Sequence, residues 1–370
     1  MPNIFTEEET DMNREKIEEN GKMREKYSSF QEWAAKLPKV ELHCHLDGSL
    51  PWQTVKKLAG RAEISIPGDD AALRAMLTVP SGCRSLKEYL ECFSLPLSCL
   101  QTYDALCTGA YELAREAALE NTLYMEVRFA PAFSAHDGFT AEDVVRGVRD
   151  GLLSAEKEFG IKTGILLCGM RHFEPEKNLE IPRLAEKFMG NGVCGIDLAG
   201  DEKAFPPELH REMFRLAAEM GIPFTIHAGE CGSWENVCTA AAMGAKRIGH
   251  GIAMAGHEEA ERLCRERGIA IEMCPTSNFQ TKAVEREENY PVRRFLDLGL
   301  NVTVNTDNRT VSGTTLTKEI LLLHHRFGVS GEEVREMMKN AARAAFAPAT
   351  VREEVERRID SFAAAGFPQP

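Results

Sequence analysis

The sequence predicts an α/β fold, a (β/α)8 TIM barrel with extra helices inserted after strand 1. Three observations lead there. Eight short apolar, β-branched runs recur along the 370 residues, stretches of helical period separate them, and most of the runs end in polar residues. Strands that alternate with helices build a parallel sheet, and eight of them close it into a barrel.

The runs lie at 40–45, 123–130, 163–169, 193–199, 223–228, 247–250, 269–274 and 301–306. Helical period fills 140–159, 178–190, 206–220, 234–244 and 257–267. Thr140 with Asp143 reads as a capping-box variant, Pro206-Pro207 as a helix start, and Gly221 and Gly268 as stops just past helix ends. The segment 51–121 is too long for one crossover helix. Its spaced apolar residues (Leu86, Tyr89, Leu90, Phe93, then Leu106, Ala110, Leu113, Ala117) predict inserted helices over the barrel mouth. The tail supplies closing helices over 315–346 and 350–363. Residues 1–37 read as a charged N-terminal extension, an exposed helix or partly ordered tail over its first 30 residues, and 38–370 as a single barrel domain without internal repeat or linker.

A formal charge of −13 leaves no basic surplus to neutralise phosphates, so nucleic acid is not an expected partner. No apolar run approaches a membrane span, and Glu7-Glu8-Glu9 stands where a secretion signal would be basic and then apolar. The 11 cysteines contain no C-x-x-C pair and suggest reduced thiols. The expectation is a soluble, cytoplasmic protein with no membrane partner; its oligomeric state is unknown from the sequence.

Chemistry is expected where polar strand ends converge on the barrel mouth. The first run carries His43 and His45, which alternation places on one face together with Asp47. Two such histidines can reach one metal ion or simply be satisfied within a sheet. Later runs end in Asp197 and Gly200-Asp201-Glu202, His227-Ala228-Gly229-Glu230, Gly249-His250-Gly251, and Asn305-Thr306-Asp307-Asn308. His43, His45, His227 and Asp307 form a nitrogen-rich ligand set suited to one Zn2+ with room for a water. Taken singly, His227 also reads as a core histidine and Asp307 as a turn residue. H-E-x-x-H and the H-x-E with P-C-x-x-C pattern are absent, and the fourth run has no lysine to bridge two metals, so a single ion is favoured.

The series His43-Cys44-His45-Leu46-Asp47-Gly48, Met170-Arg171-His172, Asp197-Leu198-Ala199-Gly200-Asp201-Glu202, His227-Ala228-Gly229-Glu230, Arg247-Ile248-Gly249-His250-Gly251 and Asn305-Thr306-Asp307 resembles the signature of the adenosine/AMP deaminase family, in order and in spacing, across about residues 38–345. The resemblance implies a zinc held by His43, His45, His227 and Asp307, with His45 also facing substrate. It implies Glu230 as the acid at purine N1, His250 as the residue that orients the attacking water and helps move its proton, and Asp307 as an acceptor from that water. Gly200 would offer its N–H to N3, and Asp47 would accept from a ribose hydroxyl or serve only as a turn residue. Glu230 must be protonated at neutral pH, so burial is expected to raise its pKa. The chain departs from the family at Asn308, where many members carry an Asp that donates to N7; an amide donates at every pH.

The implied reaction is zinc-dependent hydrolytic deamination of adenosine and 2′-deoxyadenosine to inosine and ammonia, a step of purine salvage. The alternative is another 6-aminopurine: adenine, AMP, or a 5′-modified adenosine such as methylthioadenosine. AMP would need a cationic phosphate pocket, and no Lys/Arg cluster stands at the strand ends. A non-catalytic purine-binding barrel and a different metal-dependent amidohydrolase are readings from further away.

Overall fold

The computed structural model describes residues 29–80, 82–83, 86–231, 233–284 and 286–363. The expected exposed segment at the N-terminus falls almost wholly outside these residues. Its end does not. Phe30–Lys36 forms a helix capped by the Ser29 side chain, with Trp33 fully buried in the main apolar core and Phe30 stacked on His324.

Eight strands follow: β1 (Lys39–His45), β2 (Thr122–Phe129), β3 (Lys162–Met170), β4 (Val193–Ala199), β5 (Thr225–Ala228), β6 (Arg247–His250), β7 (Ala270–Met273) and β8 (Asn301–Val304). They pair in parallel as β1-β2-β3-β4 and β5-β6-β7-β8. Two bridges join the halves. Ile196 of β4 pairs with Phe224, its N–H donating to Pro223 O at 3.2 Å. Cys44 of β1 pairs with Asp307, where the Asp307 N–H donates to His43 O at 2.9 Å and the His45 N–H donates to Asp307 O at 2.8 Å. The second bridge closes the barrel at the expected ligands, and closure itself seats Asp307 beside both histidines.

The local signals act where the sequence places them. Ala141–Phe159 starts on a complete Thr140/Asp143 capping box, and Gly221 and Gly268 take left-handed φ past their helix ends. The insertion between β1 and β2 folds as several helices, among them Trp52–Arg61, Asp70–Leu77, Leu86–Leu90, Ser94–Cys99 and Tyr103–Leu119. The tail helices are Leu316–Phe327, Gly331–Ala344 and Ala349–Ala363.

One expectation fails. Asp47 does not share the strand with His43 and His45, because β1 ends at His45 and Leu46–Ser49 forms one helical turn. Strand parity therefore says nothing about Asp47; its direction is set by that turn.

Candidate active site

The mouth at the carboxyl ends of the strands holds a cavity of about 300 Å3. His45, Asp47, Gly200, His227, Glu230, His250, Asp307 and Asn308 line it, and Leu90, Phe93 and Leu97 from the insertion add an apolar wall. His43 lies just beneath, fully buried. The four expected ligands each bring one donor atom to a common point, all within 4.8 Å of one another.

The surroundings fix which nitrogen each ligand presents. His43 Nδ1 lies 2.8 Å from Glu272 Oε2, and His227 Nδ1 lies 2.9 Å from Asp197 Oδ2. Each carboxylate accepts a hydrogen bond from the Nδ1–H, which leaves Nε2 directed into the site. Buried His43 Nε2 has no hydrogen-bond partner, and the Nε2 atoms of His45 and His227 face each other at 3.3 Å. Burial holds the pKa of His45 and of His227 below the ordinary value, which keeps both rings neutral. An Nε2 without a hydrogen-bond partner, 3.3 Å from Asp307 Oδ1 and beside two neutral imidazoles, is an arrangement that a cation completes. Ser277 donates to the remaining Asp307 oxygen, Oδ2, at 2.6 Å.

The two supporting carboxylates are themselves joined. Arg128 donates to Asp197 Oδ2 at 2.8 Å and to Glu272 Oε2 at 2.9 Å, and Arg247 donates to Glu272 Oε1 at 2.5 Å and to Glu126. All five side chains are fully buried. Burial alone would raise both carboxyls. His227 and Arg128 beside Asp197, and Arg128 and Arg247 beside Glu272, hold them well below the usual range instead.

Glu230 stands on the turn after β5 and is buried. Glu202 knits that turn by accepting from the N–H groups of Gly229 (2.6 Å), Glu230 (2.9 Å) and Cys231 (3.1 Å), and from Asn236 Nδ2 (2.8 Å). Arg171 pins the same strand end by donating to His227 O and, at 2.6 Å, to Phe205 O. Burial, with Asp307 and Glu202 nearby, pushes the Glu230 carboxyl up to about 8. A buried acid of this kind is protonated at neutral pH and can donate.

His250 lies 3.7 Å from Glu230, Nε2 to Oε2. The Asn278 amide meets its Nδ1 at 3.0 Å, and Tyr290 donates to Asn278 Oδ1 at 3.3 Å. With Asn278 donating to Nδ1, the ring proton sits on Nε2, facing the cavity. His250 and Asp307 both adopt left-handed backbone, at φ 66° and 62°. Such conformations in non-glycine residues cost about 1–3 kcal/mol each and gather at functional sites. Gly249 between the strands is required by contact: a Cβ there would lie 3.1 Å from His227 Cα and from His43 Cε1.

Asp47 is buried, its carboxyl pushed up to about 6 by burial, with Oδ1 accepting from the Gly48 N–H at 3.2 Å. Gly200 turns at φ 112° at the end of β4. Asn308 sends its amide nitrogen to the Tyr89 hydroxyl at 2.9 Å, and its buried Oδ1 has no partner.

Sequence reasoning assigned no role to Asp197, Glu272, Arg128, Glu202, Ser277, Asn278 or Tyr89. For Glu272 and Arg128 a signal existed, since a charge inside an otherwise apolar barrel strand has to be paired. For Tyr89 none did.

A ligand cluster at the carboxyl end of a closed parallel barrel, with a protonated acid beside it, marks a metal-dependent hydrolase. Within that class the chain belongs to the adenosine deaminase family, whose model, described as adenosine deaminase, matches residues 38–362. It is 44% identical over 324 residues to an adenosine deaminase of Enterococcus faecalis, covering 88% of this chain and 96% of that one. Among solved structures it resembles the adenine deaminase of Arthrobacter aurescens at a TM-score of 0.81 and 25% identity, covering 88% and 99% of the two chains. It also resembles an amidohydrolase of Burkholderia ambifaria with bound zinc at a TM-score of 0.78 and 26% identity, covering 92% and 96%.

Proposed function

We propose that this protein catalyses the hydrolytic deamination of adenosine and 2′-deoxyadenosine to inosine, or deoxyinosine, and ammonia at a single zinc ion. The observation that carries the reading is the buried, proton-bearing Glu230 beside the four-ligand cluster. His43, His45, His227 and Asp307 would hold the metal; three imidazoles and one carboxylate favour zinc over hard, oxygen-seeking cations. Zinc in such a site acidifies a water, so that hydroxide is available at neutral pH.

The protein's own groups do the rest. Glu230 donates to purine N1, which withdraws electrons from C6 and opens it to attack. His250 donates from Nε2 and orients the attacking oxygen, while Asp307 accepts from it. The adduct at C6 collapses as the amine leaves. Of the two protons of the consumed water, one ends on N1 and the other departs with ammonia. Gly200 meets N3, Asn308 donates to N7, and Asp47 accepts from the ribose.

The finer substrate choice rests on charge. Among the described residues no lysine or arginine lines the cavity, whereas Asp47 and Asp201 do, which disfavours a 5′-phosphate. Adenine is the second reading, favoured by the likeness to an adenine deaminase. The eleven cysteines, with no C-x-x-C pair among them, fit a reducing, cytoplasmic setting and a role in purine salvage.

The test is Glu230→Gln. It should lower kcat for adenosine by roughly 10²–10⁴-fold while bound zinc stays at one per chain; an active, zinc-loaded variant sinks the assignment. In the wild type, kcat/KM should rank adenosine above adenine and AMP, and the reverse order would replace the substrate.

A further inference from the structure

We propose that Tyr89 is a positioning residue of this enzyme, whose hydroxyl, held by Ser312, sets the orientation of the Asn308 amide that meets the purine. The proposal rests on the assignment of Asn308 to N7 made above. It begins from the chemistry of the departure at position 308. A carboxamide has a donor face and an acceptor face, nearly equal in shape. Purine N7 is an acceptor, so an amide turned the wrong way opposes an oxygen to a ring nitrogen. Something must choose the face.

Asn308 has one hydrogen-bond partner for its side chain among the described residues. That partner is the Tyr89 hydroxyl, 2.9 Å from Nδ2. The hydroxyl is itself 2.7 Å from Ser312 Oγ. Tyr89 comes from the inserted helix Leu86–Leu90, while Asn308 and Ser312 follow β8, so the contact ties the lid to the ligand loop. Burial lifts the Tyr89 phenol well above its ordinary pKa, which leaves it neutral and able to pair on both sides. With one amide N–H engaged by Tyr89, the second is left for the substrate. On its other side the amide is wedged against Gly48: a Cβ at that position would lie 1.9 Å from Asn308 Oδ1. Without the hydroxyl, Asn308 Oδ1 has no partner that would keep the amide from turning over.

Tyr89→Phe removes only the hydroxyl. One hydrogen bond of ordinary strength corresponds to a fall in kcat/KM for adenosine of about 3- to 10-fold, with zinc content unchanged. The same substitution in an Asn308→Ala background should change kcat/KM by less than about twofold, because the group being oriented is gone. The affinity of a 7-deaza nucleoside, which has C–H in place of N7, should not respond to Tyr89→Phe in either background. Equal losses in both backgrounds, or a weakened 7-deaza ligand, would make Tyr89 a packing residue and overturn the proposal; so would a silent Tyr89→Phe. If Asn308→Ala alone leaves kcat/KM intact, the N7 assignment fails first and takes the proposal with it. Ser312→Ala removes the support from the far side of the hydroxyl and carries the same test should Phe at position 89 unfold the lid.

Discussion

At the scale of single residues, the site works through protonation states that burial imposes. Glu230 is kept protonated to about 8, while burial keeps His45, His227 and His250 neutral. The sign for activity follows from Glu230. In the proposed mechanism its proton is the catalytic one, present below its pKa and lost as pH rises through it. The kcat/KM for adenosine should therefore fall on the alkaline side of about pH 8, approaching tenfold per unit. A pH profile that stays flat well into the alkaline range would remove Glu230 as the acid. Most of these residues could be found in the sequence because each expected ligand and acid stands at or near the carboxyl end of a strand. Asp197 and Glu272 were harder. They act from beneath, and a strand pattern shows that a charge is buried without showing which histidine it holds.

At the scale of elements, geometry comes from short segments at the ends of strands. The helical turn Leu46–Ser49 brings Gly48 under Asn308, and the lid residue Phe93 closes over the same point. A Cβ at position 48 would lie 1.9 Å from Asn308 Oδ1 and 2.8 Å from Phe93 Cε1. Gly48→Ala should force both aside and lower kcat/KM by roughly 10-fold, an overpacking cost of 1–3 kcal/mol. Zinc should be retained, and kinetics with metal analysis on one preparation would show both; unchanged kinetics would mean that the lid gives way freely. The eight strands and their helices were readable because period and capping agree, as at Thr140. The turn after His45 was not. Alternation continues through Leu46-Asp47-Gly48, whereas the strand's pairings with Arg128 and Asp307 end at His45 and the chain turns helical at Leu46. Spaced apolar residues located the lid helices, but the same spacing made Tyr89 look like ordinary packing.

At the scale of the whole molecule, barrel closure also assembles the proposed metal site. The bridge from Cys44 to Asp307 joins the last strand's end to the first, and its two hydrogen bonds hold the loop that carries Asp307. The buried network from His43 through Glu272, Arg128 and Asp197 to His227 spans both half-sheets under the site. Breaking such a network by removing one partner leaves a buried charge uncompensated, so the ligands are held by the same contacts that hold the barrel. The most direct test follows adenosine turnover and zinc content together while a chelator removes the metal and added zinc restores it. The proposed mechanism predicts that turnover falls in proportion to zinc lost and returns in proportion to zinc regained, saturating at one ion per chain. Adenosine turnover that persists in metal-free protein, or its absence from protein carrying one zinc, would contradict it.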